Sequence, residues 1–297
     1  MSNELIIQKS SSGVEIALLS NRKLIEFHRE TAGEGFQVGD FYLGKVKKIS
    51  PSLNAAFIHV GGEKDGFLTY FDLGPNVTSL RKVVKSAIAG HPRAADLDQF
   101  TIETPIVKTG KIGQVLKTGE PLLIQVIKEP IANKGPKVTC DISIPGRYFI
   151  LVPFQNNISI SRKIGNPKEK ARLKDLANSI RPHNFGVIVR TVSEGVAIEE
   201  LDKDMRDLVK KWNDLIRGLK NAPLSSKILG EGNRLQTLLR DILNDSFTQI
   251  VTNDPEIHGS VKETLGKYNT DSDKILKLHS GKNSLFDQYN VNRQIQA

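Results

Sequence analysis

Short apolar runs punctuated by turn residues dominate the first thirty positions. "ELIIQKS", "GVEIALLSN" and "KLIEFHRE" (within 4–30) predict three strands, separated by "SSG" and "NR", which suit tight turns. "TAGEGFQVGD" (31–40) reads as a connector. A second β-rich block follows: "FYLGKVKKIS", the hairpin "LNAAFIHVGGEKDGFLTYFDL" (53–73) and the strand "GEPLLIQVIKEP" (119–130). Side chains alternate faces along a strand, so Ile58 with Val60, and Leu68 with Tyr70, share one face of the hairpin. Phe57 with His59, and Phe67 with Thr69, take the opposite, less apolar face. A third block begins with "DISIPGRYFILVPF" (141–154), which predicts one strong strand. "SISRKI" follows it, then a helix opened by Asn166 and Pro167, a usual cap and first-turn pair. "FGVIVRT" (185–191) predicts a buried strand. A long helix is predicted over about 197–220, with a core stripe of Leu201, Met205, Leu208, Trp212, Leu215 and Leu219.

"PLSSKILGEGN" (223–233) reads as a linker, after which helical and strand patterns alternate. The order is helix 234–243, strand "FTQIVTN", helix from Asp254-Pro255, strand "KILKLHS" and helix 285–296. Such alternation predicts an α/β sheet. Two late strands make a small sheet alone, and the three N-terminal strands can complete it. The expected organisation is therefore a split domain with the two middle blocks inserted. Between the strands of the second block lies an insert, about 73–118. In its "SLRKVVKSAIAG", Leu80, Val83, Val84 and Ile88 follow helical spacing, with Arg81, Lys82 and Lys85 on the polar side. That polar side is either a solvated helix face or an RNA contact.

Charge adds a direction. The 297 residues carry 42 Lys and Arg against 33 Asp and Glu, a net +9, which favours an anionic partner, nucleic acid first. Chemistry of its own is hard to find. The single Cys140 excludes an internal disulfide and a multi-cysteine zinc site, and a reducing cytoplasm is the simplest compartment. No apolar run approaches the roughly 20 residues of a membrane span, and the start "MSNELIIQKSSSG" lacks the pattern of a signal peptide. The six histidines show no metal-ligand spacing. No Walker loop, dinucleotide fingerprint or Gly-x-Ser-x-Gly elbow occurs. No carboxylate pair is placed for two-metal hydrolysis.

Binding residues are easier to nominate. Outward Phe57 and Phe67 on a small barrel would form a stacking platform for single-stranded bases; the alternative is core packing beneath the insert. Lys45, Lys47 and Lys48 on the neighbouring strand could meet phosphates. "GVIVRTVSEG" ends a strand on Arg190 and Thr191, a planar fork of donors beside a hydroxyl. Such a pair can clamp an anion, or be a surface arginine after a strand. Arg162 and Lys163 form a second basic pair, with the same alternative. Lys134 and Lys137 flank a Gly-Pro turn that is either an RNA contact or solvated.

Taken together and in order, "FYLGKVKKISPSLNAAFIHVGGEKDGFL", "NKGPKVTCDISIPGRYFILVP", "ISRKI", "GVIVRT" and "SLFDQYNVNRQIQ" closely resemble the N-terminal part of the bacterial ribonuclease E/G family. The resemblance spans nearly the whole chain; the longer insert at 73–118 is the main departure. It implies an α+β multidomain fold: a ribonuclease-H-like α/β subdomain split between 1–38 and 223–297, an OB-type RNA-binding barrel over 39–140, and an α/β 5′-sensor domain over 141–222.

The resemblance further implies that Phe57, Phe67 and Lys134 contact single-stranded RNA. Arg190 and Thr191 would hold a 5′-monophosphate, completed by backbone at Gly146 and Ile150, the last being often valine in the family. It implies an endoribonuclease of RNA processing and decay, whose magnesium-binding aspartates lie in a DNase-I-like domain beyond residue 297. No catalytic residue, metal or other cofactor is then expected within these residues. The parent would be homo-oligomeric through later segments, and its partner single-stranded RNA, preferably 5′-monophosphorylated. The remaining alternatives are a non-enzymatic single-stranded RNA-binding protein and a basic protein whose charge only solubilises it.

Overall fold

The computed structural model describes residues 2–11, 13–30, 35–232, 234–243, 246–268, 272–281 and 284–296. In chain order its elements are β1 (Asn3–Ser10), β2 (Gly13–Ser20), β3 (Lys23–Glu30), β4 (Phe41–Ser50), β5 (Ala55–His59), β6 (Gly66–Thr69), α1 (Val77–Ile88), α2 (Ile112–Val115), β7 (Pro121–Lys128) and β8 (Lys137–Thr139). There follow β9 (Ile144–Pro145), β10 (Phe149–Pro153), β11 (Ile158–Ile160), α3 (Pro167–Ile180), β12 (Phe185–Val189), α4 (Ile198–Gly218) and β13 (Ser226–Leu229). The last are α5 (Arg234–Ile242), β14 (Phe247–Thr252), α6 (Pro255–Lys267), α7 (Ser272–Ile275), β15 (Leu276–Leu278), α8 (Leu285–Gln288) and α9 (Val291–Ile295). The chain forms two compact units, residues 1–35 with 232–297, and residues 36–231.

In the first unit the sheet order is β15-β14-β1-β2-β3. β1 to β3 form an antiparallel meander, while β14 pairs parallel to β1 and β15 parallel to β14. β1 sits mid-sheet, and its unbroken Leu5-Ile6-Ile7 run reflects burial on both faces. Leu5 and Ile7 pack with Leu235, Leu239, Val261 and Leu265 of α5 and α6. Ile6 packs on the other face with Phe286 and Val291. The single helix expected over 285–296 is instead α8 and α9, because Asn290 between them takes φ 56°. A left-handed residue cannot continue a right-handed helix, and asparagine tolerates that conformation.

The second unit contains a closed five-stranded barrel. The sheet runs β13-β4-β5-β6-β8-β7, and β7 also pairs with β4, closing the ring. β6 and β8 run parallel, and the other pairs in the ring are antiparallel. This mixed α+β arrangement is consistent with an OB-like fold. β13 falls within the segment read as a linker. It pairs antiparallel to β4 and belongs to residues 36–231, not to the terminal unit. Its four residues are too short and too polar to register as a strand by pattern; the open backbone of β4 selects it.

Beside the barrel, β11-β12-β10-β9 form a four-stranded sheet, against which α4 packs. The stripe of α4 is buried as expected, from Leu201 to Leu219. Trp212 meets Phe154 and Phe185 edge-on at 6.0 and 5.7 Å, and its Nε1 donates to the Ala95 carbonyl at 2.9 Å. Asn184 Nδ2 donates to the carbonyls of Leu97 and Phe100. The insert is thereby bonded to this sheet, and α1 buries Leu80, Val83 and Val84 while Ile88 stays partly exposed. Arg81 is occupied structurally: it donates to the Val115 carbonyl and pairs with Glu120.

The strand expected over 141–154 is two strands. β9 and β10 pair antiparallel, with the chain reversing at Gly146–Tyr148. The Gly146 amide donates to the Phe149 carbonyl at 2.8 Å. Pro145-Gly146 is a turn signal that the flanking apolar runs outweigh by pattern alone.

Candidate nucleic-acid interface

Two separate sites emerge on the 36–231 unit. The first is on the barrel. Phe57 and Phe67 are direct cross-strand partners on β5 and β6, with ring centroids 5.7 Å apart and planes inclined by 55°. Their neighbours Ile58 and Leu68 are fully buried on the inner face, whereas both rings are only half-buried. Core packing beneath the insert is not where they lie. They line a cleft of about 790 Å³ whose other walls come from Lys64, Lys128, Lys134 and Lys137, among others. Cross-strand aromatic pairs hold each other in place, so the two rings keep a fixed arrangement on the barrel surface.

Charge around this cleft is graded. Lys137 is tied to Asp72 at 3.0 Å, and Lys47 to Asp65 at 2.8 Å. Lys64 donates to the Ala132 carbonyl and so braces the 131–134 turn, which a reciprocal backbone pair between Ile131 and Lys134 closes. Lys134 itself is exposed at the cleft wall. Lys48 sits opposite Phe57 in the ladder, and Lys45 opposite His59. Lys64 and Lys128 were not singled out by sequence, because nothing in their local pattern points to a barrel cleft built from distant segments.

The second site is at the end of the four-stranded sheet. The Arg190 guanidinium donates to the Gly146 carbonyl at 2.7 Å, and the Arg190 amide to the Tyr148 carbonyl at 2.9 Å. The Thr191 hydroxyl shares a 2.7 Å hydrogen bond with that of Ser161. Ile150 is the ladder partner of Ile188, two residues before Arg190, so all three share the outer face. Gly146, Ile150, Arg190 and Thr191 are thus brought to one corner. Ser161, adjacent to the exposed Arg162 and Lys163, joins them there.

A residue that sequence did not flag organises this corner. The Asp204 carboxylate of α4 accepts the backbone amides of Arg147, Tyr148 and Phe149, each at 3.0 Å. Burial pushes its pKa above the ordinary aspartate range, against the pull of those three donors. A Cβ on Gly146 would sit 2.7 Å from Asp204 Oδ2, so only glycine lets the turn approach the carboxylate this closely. On the other flank Glu169 accepts from Arg172 and from the Gly195 amide, while Arg172 also donates to the Val196 carbonyl. These bonds hold Glu169 at a pKa of about 2, the arginine contributing most, and they fasten the segment after Thr191 to α3.

Among the described residues no group of three or more His, Cys, Asp or Glu is placed to hold a metal ion. Among the same residues no helix is long and apolar enough to cross a membrane.

Comparison with known proteins places the whole chain beside ribonucleases. The chain is 30% identical over 294 residues to Ribonuclease G of Haemophilus influenzae, covering 99% of this chain and 56% of that protein. It is 27% identical over 296 residues to Ribonuclease G of Escherichia coli, covering 100% and 57%. It is 31% identical over 265 residues to Ribonuclease E of Synechocystis, covering 87% and 35%. The chain therefore spans just over half the length of these Ribonuclease G relatives. The sequence model of the ribonuclease E/G family matches residues 143–297, which include Arg190, Thr191, Gly146 and Ile150 as well as the elements from β14 onward. That match covers more than half of the chain, and the chain belongs to the ribonuclease E/G family.

Proposed function

We propose that this chain is the RNA-binding and 5′-monophosphate-sensing portion of a single-strand-specific endoribonuclease of RNA processing and decay. The observation that carries the reading is the Phe57–Phe67 pair, half-buried on the outer face of a closed barrel and walled by lysines. Stacked bases each contribute roughly 1–3 kcal/mol, and lysines track the backbone between them. Lys134 is assigned a phosphate contact beside that platform.

Arg190 and Thr191 are assigned the 5′-monophosphate, with backbone at Gly146 and Ile150 completing the pocket. A terminal monophosphate carries about −1.5 to −2 charges. A charge-assisted hydrogen bond is worth about 1.5–3 kcal/mol, so a monophosphate is expected to improve binding about tenfold or more. The barrel would hold downstream bases and deliver the strand to a hydrolytic domain outside this sequence, to which magnesium chemistry and oligomer contacts are also assigned. The meander β1–β3 extended by parallel β14 and β15 supports reading the first unit as ribonuclease-H-like.

The test is fluorescence anisotropy with two single-stranded RNAs that differ only in a 5′-monophosphate or 5′-hydroxyl. Tighter binding of the monophosphate is expected. Equal affinities would leave the barrel as the sole binding element and remove end sensing from the reading.

A further inference from the structure

A second cavity lies on the sheet near the Arg190 corner, with Ile188, two residues before Arg190, in its wall. This cavity, of about 240 Å³, is bounded by Val152 and Ile188 on the sheet and by Gln155, Asn157, Ser159 and Asp141 at its rim. Three observations mark it as more than a surface dent. First, the register places it. Ile188 pairs with Ile150 on one side and with Ser159 on the other, so the cavity begins two residues from Arg190, about 7 Å along the strand. That is within one nucleotide's reach of a phosphate at Arg190. Second, a glycine keeps it open: Gly186 is the ladder partner of Val152. A Cβ there would sit 2.8 Å from Gln155 Cβ and 3.2 Å from Asn157 Oδ1, forcing both rim side chains to shift. Third, the rim chemistry is complementary to a base edge. The side chains of Gln155, Asn157 and Ser159 make no hydrogen bond to other described residues. Two carboxamides, a hydroxyl and a carboxylate offer both donors and acceptors above an apolar floor.

We infer that this cavity is a nucleobase subsite, which receives the base of the RNA's 5′-terminal nucleotide and makes end recognition dependent on that base. The inference rests on the 5′-phosphate reading of Arg190 and Thr191. Ile150 and Ile188 offer the apolar surface over which the terminal ribose and base pass. The carboxamides of Gln155 and Asn157 read the base edge, as such groups do on unstacked bases in single strands. Asp141 selects for exocyclic amino groups, because a carboxylate only accepts.

The experiment uses eight short single-stranded RNAs, each of the four first bases with a 5′-monophosphate or a 5′-hydroxyl, measured by anisotropy against the whole chain. The monophosphorylated set is expected to spread by about fivefold or more across the four bases, the size of one good base-edge contact. Asn157→Ala and Gln155→Ala are expected to flatten that spread while keeping the preference for monophosphate. Neither side chain bonds to another described residue, so the variants are expected to fold, which circular dichroism and melting check. A monophosphate preference of equal size at all four bases overturns the subsite and leaves end sensing intact. Loss of the monophosphate preference in the unaltered chain overturns the end-sensing reading, and the subsite falls with it. A spread that persists unchanged in both variants places base reading elsewhere and also overturns the subsite.

Discussion

Arg190 and Gly146 are joined by a 2.7 Å hydrogen bond from guanidinium to carbonyl, across 44 positions of sequence. The bond occupies part of the arginine's donor fork and orients the rest. The same carbonyl belongs to a turn whose next three amides are gathered by Asp204. A flexible cation is thereby fixed on one side by a strand and on the other by a helix-anchored turn. For the proposed 5′-monophosphate, less conformational freedom would remain to be lost on binding.

Arg190→Ala is expected to abolish the preference for a 5′-monophosphate, about tenfold or more, while leaving the affinity for 5′-hydroxyl RNA within about twofold. Arg190→Lys is expected to recover only part of the preference, because an ammonium lacks the fork that can hold both the Gly146 carbonyl and a phosphate. Paired anisotropy titrations check both. Equal losses for the two RNAs would count against an end sensor here.

Asp204→Ala removes the acceptor for three backbone amides at once. A loss of about 1–3 kcal/mol is expected, since water reaches some of these donors after truncation. The monophosphate preference falls with it, because the Gly146 turn loses its anchor. Asp204→Asn keeps one acceptor oxygen and is expected to fall between. Urea denaturation and the RNA titrations check this. Unchanged end preference in Asp204→Ala would show that the turn is held without it.

The pH dependence of Glu169 follows from its bonds to Arg172 and Gly195. Its folded pKa of about 2 lies below the ordinary 4.5, so the folded state favours the charged form. Its contribution is full above about pH 4.5 and is lost as the pH falls toward about 2. Glu169→Gln is expected to be less stable than the unaltered chain at pH 7, with the difference shrinking at pH 3. Denaturation midpoints at the two pH values measure it, and a constant difference would rule out this linkage.

The chain's legibility depended on how local each signal was. Asn166 caps α3 by accepting from Lys168 and Glu169, and Asp254 caps α6 by accepting from Ile257; both ends lie within a few residues of sequence and were readable. The α4 stripe was readable because its period spans six turns. β13 was not, because four residues become a strand only when β4 presents an unpaired edge. Phe57 and Phe67 were legible as outward residues from alternation alone, yet their cleft was not, since Lys64, Lys128 and Lys137 come from separate segments. Asp204 was invisible for the same reason: on a strongly amphipathic helix an aspartate reads as solvated surface. The family resemblance pointed to Arg190, Thr191, Gly146 and Ile150, but it did not supply the turn that unites them.

Phe57→Ala is expected to weaken single-stranded RNA by about 1–3 kcal/mol, whatever the 5′ end, and Phe67→Ala likewise. Their rings are 5.7 Å apart and hold one another in register, so the losses are not independent. The double variant should lose less than the sum of the single ones. Both rings are half-exposed, so stability changes little and binding is the readout. Strictly additive losses would mean that the rings meet separate bases without supporting each other.

Lys134 gives the sharpest separation of charge from stacking. It is exposed on the cleft wall, and its backbone is held by the pair with Ile131, so Lys134→Ala leaves the turn intact. A lysine that neutralises one phosphate of a single strand contributes about 0.7 to the slope of log affinity against log salt. Lys134→Ala is expected to flatten that slope by about this amount and to weaken binding most at low salt. Phe57→Ala is expected to lower affinity at every salt concentration with the slope unchanged, because stacking releases no counterions. Titrations at several salt concentrations with the unaltered chain and both variants distinguish the two roles. An unchanged slope in Lys134→Ala would remove Lys134 from the phosphate track and leave Lys128 and Lys64 as the cations to test on the same cleft.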